Sequence, residues 1–195
     1  MLDYELKFED KVLIAGIDEA GRGPLAGPVV CACVVMPLDE NSIIDGVNDS
    51  KKLSPKKREE LFEKIKERAI AFSIVEVDER EIDEINILNA TKKGMIKSIK
   101  ELGIVPEIVL IDAVELDIDL EQEAIIKGDT LSYNIACASI LAKVYRDRLM
   151  VDYSKTYPEY CFDKHKGYGT KLHIEKLKEF GACPIHRSTF IKNFF

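Results

Sequence analysis

The chain changes hydrophobic period several times along its length, and each change marks a structural element. Val12 to Ala15 is an unbroken apolar run closed by Gly16, the pattern of a buried strand. Val29 to Met36 is a second such run, and 71–77 a third. Between them, 39–52 is polar and reads as a loop. Ser54-Pro55 then supplies an N-cap and a proline at the first helical position, followed by Leu61, Phe62, Ile65 and Ala69 on one helical face. A second amphipathic helix is predicted over 89–102, with Met95, Ile96, Ile99 and Leu102 inward and Gly103 as its stop. Ile108 to Ile111 is an apolar run leading straight into Asp112, and 124–126 a last short strand ended by Lys127-Gly128-Asp129. The remainder is helical, from Leu131 to about Lys155 and from Lys171 to Phe180, where Gly181 caps it.

Three hairpin-like strands followed by a strand reached through a helix predict an α/β class. The expected architecture is a mixed five-stranded sheet flanked by helices, with a helical C-terminal portion over about 131–195. At 195 residues the chain has room for one domain with a sizeable core. No apolar run approaches the roughly 18 residues of a membrane span, and the acidic N-terminus lacks signal-peptide character. Five cysteines without metal-ligand spacing read as reduced thiols. A cytoplasmic protein, monomeric and without a membrane partner, is expected.

The net charge of −7 argues mildly against a nucleic-acid partner, but its distribution does not. The first 126 residues carry −12 and the rest +5, so the C-terminal third can offer a local basic surface.

Candidate chemistry lies at the strand ends. Asp18 ends the first strand with Glu19 beside it, Asp112 ends a later one, and Asp129 follows the last short one. Ligands of α/β sheets gather outside the carboxyl ends of strands, so these acids can converge. Carboxylates packed together need a counter-charge, and all-oxygen ligands favour Mg2+ or Mn2+ over zinc. Two such ions about 3.5–4 Å apart would form a site for phosphoryl displacement. Taken singly, Asp112 or Asp129 reads more readily as a turn residue than as a ligand; the Asp18-Glu19 pair in its apolar, glycine-rich setting is less easily dismissed. Gly21-Arg22-Gly23 adds a backbone free of side-chain bulk around one positive charge, suited to a phosphate or sugar.

The run Gly16-Ile17-Asp18-Glu19-Ala20-Gly21-Arg22-Gly23-Pro24, with Gly27-Pro28, resembles the opening signature of ribonuclease HII, the type 2 ribonucleases H of bacteria. The resemblance continues through Asp49-Ser50-Lys51-Lys52-Leu53, Ile111-Asp112-Ala113, Lys127-Gly128-Asp129, the 138–147 helix segment, Lys166-Gly167-Tyr168-Gly169-Thr170 and His186-Arg187-Ser188. It implies an RNase H-like fold and hydrolysis of RNA paired with DNA. It also implies incision 5′ of single ribonucleotides embedded in duplex DNA, leaving a 3′-hydroxyl and a 5′-phosphate. By the same resemblance the catalytic and metal-holding acids are Asp18, Glu19, Asp112 and Asp129. Gly21, Arg22, Gly23 and Tyr168 are implied to recognise substrate, with Ser50 and Lys51 in the loop that accompanies them. RNA is told from DNA by its 2′-hydroxyl, and a Gly21-Arg22-Gly23 turn can approach that group closely. The Tyr168 hydroxyl would meet it too, with the ring packed on the neighbouring deoxyribose.

Lys51, Lys52, Lys143 and Arg146 are candidate phosphate contacts, while Lys56, Lys57, Lys64 and Lys66 read as a solvated face. The three histidines, His165, His173 and His186, have no metal spacing, and His165 is expected at the surface. The tail 188–195 resembles a degenerate sliding-clamp peptide, although packing of Phe190, Phe194 and Phe195 on the domain is the favoured reading. Two other classes remain open: another RNase H-like nuclease, such as a junction resolvase or exonuclease, and a non-catalytic hybrid-binding protein.

Overall fold

A computed structural model of the chain describes residues 4–8, 10–39 and 41–194. Its strands are β1 (Ile14–Ala20), β2 (Val29–Val35), β3 (Ala71–Val77), β4 (Ile108–Asp112) and β5 (Gln122–Ile125). They form one sheet in the order β3-β2-β1-β4-β5. β1–β2 and β2–β3 pair antiparallel, β1–β4 and β4–β5 parallel. The helices are α1 (Pro55–Arg68), α2 (Glu79–Ile85), α3 (Ile87–Lys100), α4 (Tyr133–Thr156), α5 (Phe162–His165), α6 (Lys171–Phe180) and α7 (Ser188–Ile191). The mixed five-stranded sheet and the helical C-terminal portion are as the hydrophobic pattern predicts. Among the described residues no helix is long and apolar enough to cross a membrane.

β1 is the central strand, and alternation sends its residues to two cores. Ala15 and Ile17 pack with Cys31, Cys33 and Val35 against Met95 and Ile99 of α3. On the other face, Ala20, Val30, Ala32 and Val34 pack against α4 and against Leu61, Phe62 and Ile65 of α1. Gly16 allows the first turn of α4 to cross β1 at close range, since a Cβ there would lie 2.2 Å from the backbone of Asn134. Glu5 fixes that helix start: its Oε1 accepts from Ser132 Oγ at 2.6 Å and from the Asn134 amide at 2.9 Å.

Four boundaries differ from the sequence reading. β1 does not stop at Gly16; pairing with β2 carries it through Asp18, opposite Ala32, and Glu19, opposite Cys31. The strand therefore does not end at Asp18 but continues through Glu19 to Ala20. α2 was not anticipated: Asp78 caps it by accepting from the Glu81 amide, but the helix has only seven residues and one buried apolar side chain, Ile82. α3 starts two residues before Asn89, because Asn86 caps it by accepting from the Leu88 and Asn89 amides. β5 starts at Gln122 and excludes Ile126, which is exposed.

Candidate active site

The carboxyl ends of β1 and β4 bring the first acids together. Ile17 pairs with Ile111 across the parallel ladder, so Asp18 and Asp112 are neighbours one residue further on. Asp18 is buried, and its Oδ1 accepts from the Glu19 amide at 2.7 Å. Burial first, then the charges of Glu19 and Asp112, push its carboxyl well above the usual carboxylate range, and a hydrogen bond from Ser139 of α4 opposes them. Ser139 Oγ is in turn 2.9 Å from Ser50 Oγ.

Glu19 leaves the strand on the opposite face and pairs with Arg22 at 3.5 Å. Burial raises its carboxyl, Arg22 lowers it and Asp112 raises it again, with a net upward shift. Its Oε2 is buried and has no hydrogen-bond partner among the described residues. Asp112 Oδ1 accepts from the Gly128 amide at 2.7 Å, which draws the turn carrying Asp129 toward β4. Asp129 is buried, and burial together with the charge of Asp49 raises its carboxyl.

One ammonium senses the whole group. Lys51 Nζ lies 3.7 Å from Asp129 Oδ2. Partial burial lowers the Lys51 ammonium, but Asp129, Asp18, Asp49 and Asp112 outweigh that and raise it, and the same Lys51 charge acts on Glu19. The four acids therefore share one electrostatic site. Asp18, Glu19 and Asp112 are each held by a donor of their own, and among the described residues no three His, Cys, Asp or Glu side chains are grouped as a metal-binding set. Their chemistry nevertheless suits a hard cation: oxygen donors only, buried charge in excess of nearby cations, and a bare buried oxygen on Glu19.

A cleft of about 370 Å³ opens beside these acids, lined by Asp18 and Glu19, by Gly21 to Gly23, by Ser50, Lys51 and Ser139, and by Lys143 and Tyr168. A hollow of about 500 Å³ between α1 and α4, lined by Arg58, Glu59, Asp147 and Arg148, contains none of the four acids. Tyr168 is half-exposed on the cleft wall, with Lys143 Nζ 5.8 Å from its ring centroid. The two acids of β1, a glycine turn and an aromatic on a second glycine loop thus line one opening, with Asp112 beside Asp18 on the neighbouring strand. Residues 15–193 match the family model described as Ribonuclease HII.

The chain belongs to the ribonuclease HII family.

Members of this family are ribonucleases H and degrade the RNA of RNA–DNA hybrids. Ribonuclease HII of Ruminiclostridium cellulolyticum is 58% identical over 200 residues, covering 99% of this chain and 78% of that protein. Ribonuclease HII of Caldicellulosiruptor saccharolyticus is 56% identical over 193 residues, covering 98% and 93%. Among solved structures, the PCNA:RNase HII complex from Archaeoglobus fulgidus is similar with a TM-score of 0.80 at 30% identity, covering 93% of this chain and 96% of that one.

Within this family framework, two expectations about basic residues need correction. Arg146 does not face phosphate. It is 1% exposed, and its nitrogens donate to Pro28 O at 2.9 Å, Lys166 O at 2.9 Å and Ala26 O at 3.0 Å. Gly21 is needed beside it, because a Cβ there would lie 2.0 Å from Arg146 Nε. His165 is not on the surface either. It is buried and stacked on His173 at 4.4 Å between ring centroids, and His173 Nε2 lies 3.0 Å from His186 Nε2. Lys143 pairs with Asp147 at 2.8 Å while still lining the cleft.

Three contributors escaped the sequence reading of this site. Ser139 had its signal in the small-residue stretch of α4 that must cross β1. His173 holds the Tyr168 loop, its Nδ1 lying 2.9 Å from Tyr168 O. Arg187 holds the 21–23 turn from below. Neither contact has a local signature, since the partners are brought together only by the fold.

Proposed function

We propose that this chain, as a single catalytic domain, hydrolyses the RNA strand of RNA–DNA hybrids and incises 5′ of single ribonucleotides embedded in duplex DNA. The products are a 3′-hydroxyl and a 5′-phosphate. The observation that carries the reading is the convergence of Asp18, Glu19, Asp112 and Asp129 beside a cleft walled by Gly21 to Gly23 and Tyr168.

The four acids would hold two divalent cations, Mg2+ or Mn2+. When bound, such ions supply Lewis acidity at the attacking water and at the leaving oxygen. The chain's own residues do the rest. Ser139 and the Glu19 amide hold Asp18 in place, and the Gly128 amide orients Asp112. The turn at Gly21 to Gly23 and the Tyr168 hydroxyl read the 2′-hydroxyl, while the Tyr168 ring packs on the adjoining deoxyribose. Arg22, Lys51 and Lys143 meet phosphates, which sets register and affinity rather than sequence preference. Ser50 supports this wall through Ser139.

A sliding-clamp contact through the tail is the weaker reading. Phe190, Ile191 and Phe194 already pack against the cores around Leu25, Leu177 and Ile82; Phe195 lies outside the described residues.

The test is a DNA duplex containing one ribonucleotide, incubated with Mg2+ or Mn2+ and, separately, with chelator. The reading expects metal-dependent incision on the 5′ side of the ribonucleotide and none in an all-DNA duplex. Cutting confined to four-way junctions, or binding without incision, contradicts it.

A further inference from the structure

Arg187 is fully buried, and its guanidinium contacts no carboxylate among the described residues. Its three nitrogens instead go to backbone carbonyls of one loop: Nε to Gly27 O at 2.9 Å, Nη1 to Arg22 O at 2.9 Å and Nη2 to Gly21 O at 2.6 Å. The Phe190 ring covers it, with 5.1 Å from guanidinium carbon to ring centroid. Burying a cation this way is unfavourable. Burial pushes its pKa down to about 9, leaving it charged at neutral pH. A neutral, apolar side chain would fill the space at lower cost if filling were all the position required.

The contacts dictate the shape of the turn. A trans peptide is planar, with its C=O and N–H antiparallel. Pinning Gly21 O inward therefore turns the Arg22 N–H outward, and pinning Arg22 O inward does the same to the Gly23 N–H. Those two amides form no hydrogen bond among the described residues, Arg22 and Gly23 are exposed, and both line the acid-walled cleft. The turn presents two donors toward a bound oxygen acceptor, a ribose hydroxyl or a phosphate oxygen. Arg146 secures the opposite side by bridging Ala26 and Pro28 to Lys166, at the base of the Tyr168 loop.

We infer that Arg187 is a positioning residue for ribose discrimination: by fixing the carbonyls of Gly21 and Arg22 it aims the amides of Arg22 and Gly23 at the 2′-hydroxyl. The inference rests on the proposal that this turn reads the ribose. A lysine keeps the charge but cannot supply a planar fork to three carbonyls.

The experiment measures binding, so that catalysis does not confound it. The full chain carrying Asp112→Asn is titrated, by fluorescence anisotropy in Mg2+, with a duplex containing one ribonucleotide and with the same duplex in all-DNA form. Adding Arg187→Lys is expected to raise the Kd for the ribonucleotide duplex about tenfold while leaving the all-DNA Kd within about twofold. Equal weakening of both duplexes assigns Arg187 to the fold or to phosphate attraction, and overturns the inference; so does no change in either. If the parent chain binds both duplexes alike, the ribose-reading turn itself falls, and this inference with it. If the parent discriminates and Tyr168→Ala loses discrimination while Arg187→Lys keeps it, only the role of Arg187 falls. Should Arg187→Lys fail to fold by circular dichroism, Phe190→Leu decides. It removes the ring that covers the guanidinium and so loosens the fork over its three carbonyls, and is expected to lower the ratio about two- to threefold; an unchanged ratio contradicts the inference.

Discussion

The Lys51 ammonium lies 3.7 Å from Asp129, at the mouth of a group of four acids whose charges it senses together. Its side chain is 81% exposed, so the pair adds little to folding. Lys51 instead stands where a phosphate approaching the acids would be met. Lys51→Ala is therefore expected to raise KM several-fold, leave the thermal midpoint unchanged, and reduce the slope of log KM against log salt by about one. Steady-state kinetics across a salt series check it, and an unchanged slope would remove Lys51 from the substrate interface.

Asp18 is held at a cost to stability. Its carboxyl is raised by burial and by Glu19 and Asp112, so its protonated form is the one the metal-free fold favours. The associated stability is present below the ordinary carboxylate range and lost as pH rises through the raised value. In chelator at neutral pH, Asp18→Asn should stabilise the chain by about 1 kcal/mol, or roughly 2–4 °C in thermal midpoint for a chain of this size, while abolishing activity. The gain should vanish near pH 4. Added Mg2+ or Mn2+ should raise the midpoint of the parent chain more than that of the variant. Calorimetry over pH reads all three.

The histidine cluster titrates in the opposite sense. Burial pushes His173 and His186 down to about 4 and also lowers His165. Unfolded histidines bind protons near pH 6.5, so the cluster's contribution is complete above that value and lost as pH falls toward 4. His173→Asn keeps a donor for Tyr168 O but not the titration. Its stability should fall less steeply between pH 6.5 and 4 than that of the parent chain, as urea unfolding at several pH values will show.

Local rules made much of this molecule legible. An apolar run interrupted by Asp18-Glu19 and closed by glycines conflicts with its own burial, and that conflict marks the site. The strand ending in Asp112 and the Ser54-Pro55 helix start are equally local signals, and all three stand where expected. Arg146 and His165 were misread because a charged or polar residue on a helix normally faces water. Their burial depends on carbonyls as far away as Ala26, 120 residues from Arg146, or on ring stacking that only the fold creates. α2 was missed because seven residues with one buried isoleucine make almost no periodic signal.

The tail is structural in its described part. Asp83 caps α7 by accepting from the Ser188 amide at 2.6 Å and the Thr189 amide at 2.9 Å, and Phe194 packs near Leu25 and Leu177. Removing residues 190–195 should cost roughly 2–4 kcal/mol of stability, seen as a lower urea midpoint. An unchanged midpoint, with a clamp interaction lost, would instead favour a free recognition peptide.

The most direct measurement compares cleavage of a duplex bearing one ribonucleotide by the parent chain and by Asp18→Asn, Glu19→Gln, Asp112→Asn and Asp129→Asn, each in Mg2+ and in Mn2+. Four acids serving one reaction predict a loss of about a thousandfold or more for Asp18 and Asp112, and at least tenfold for Glu19 and Asp129, with binding of the duplex preserved. Near-parent cleavage by Asp18→Asn or Asp112→Asn would contradict the assignment of this cluster as the place where the phosphodiester is cut.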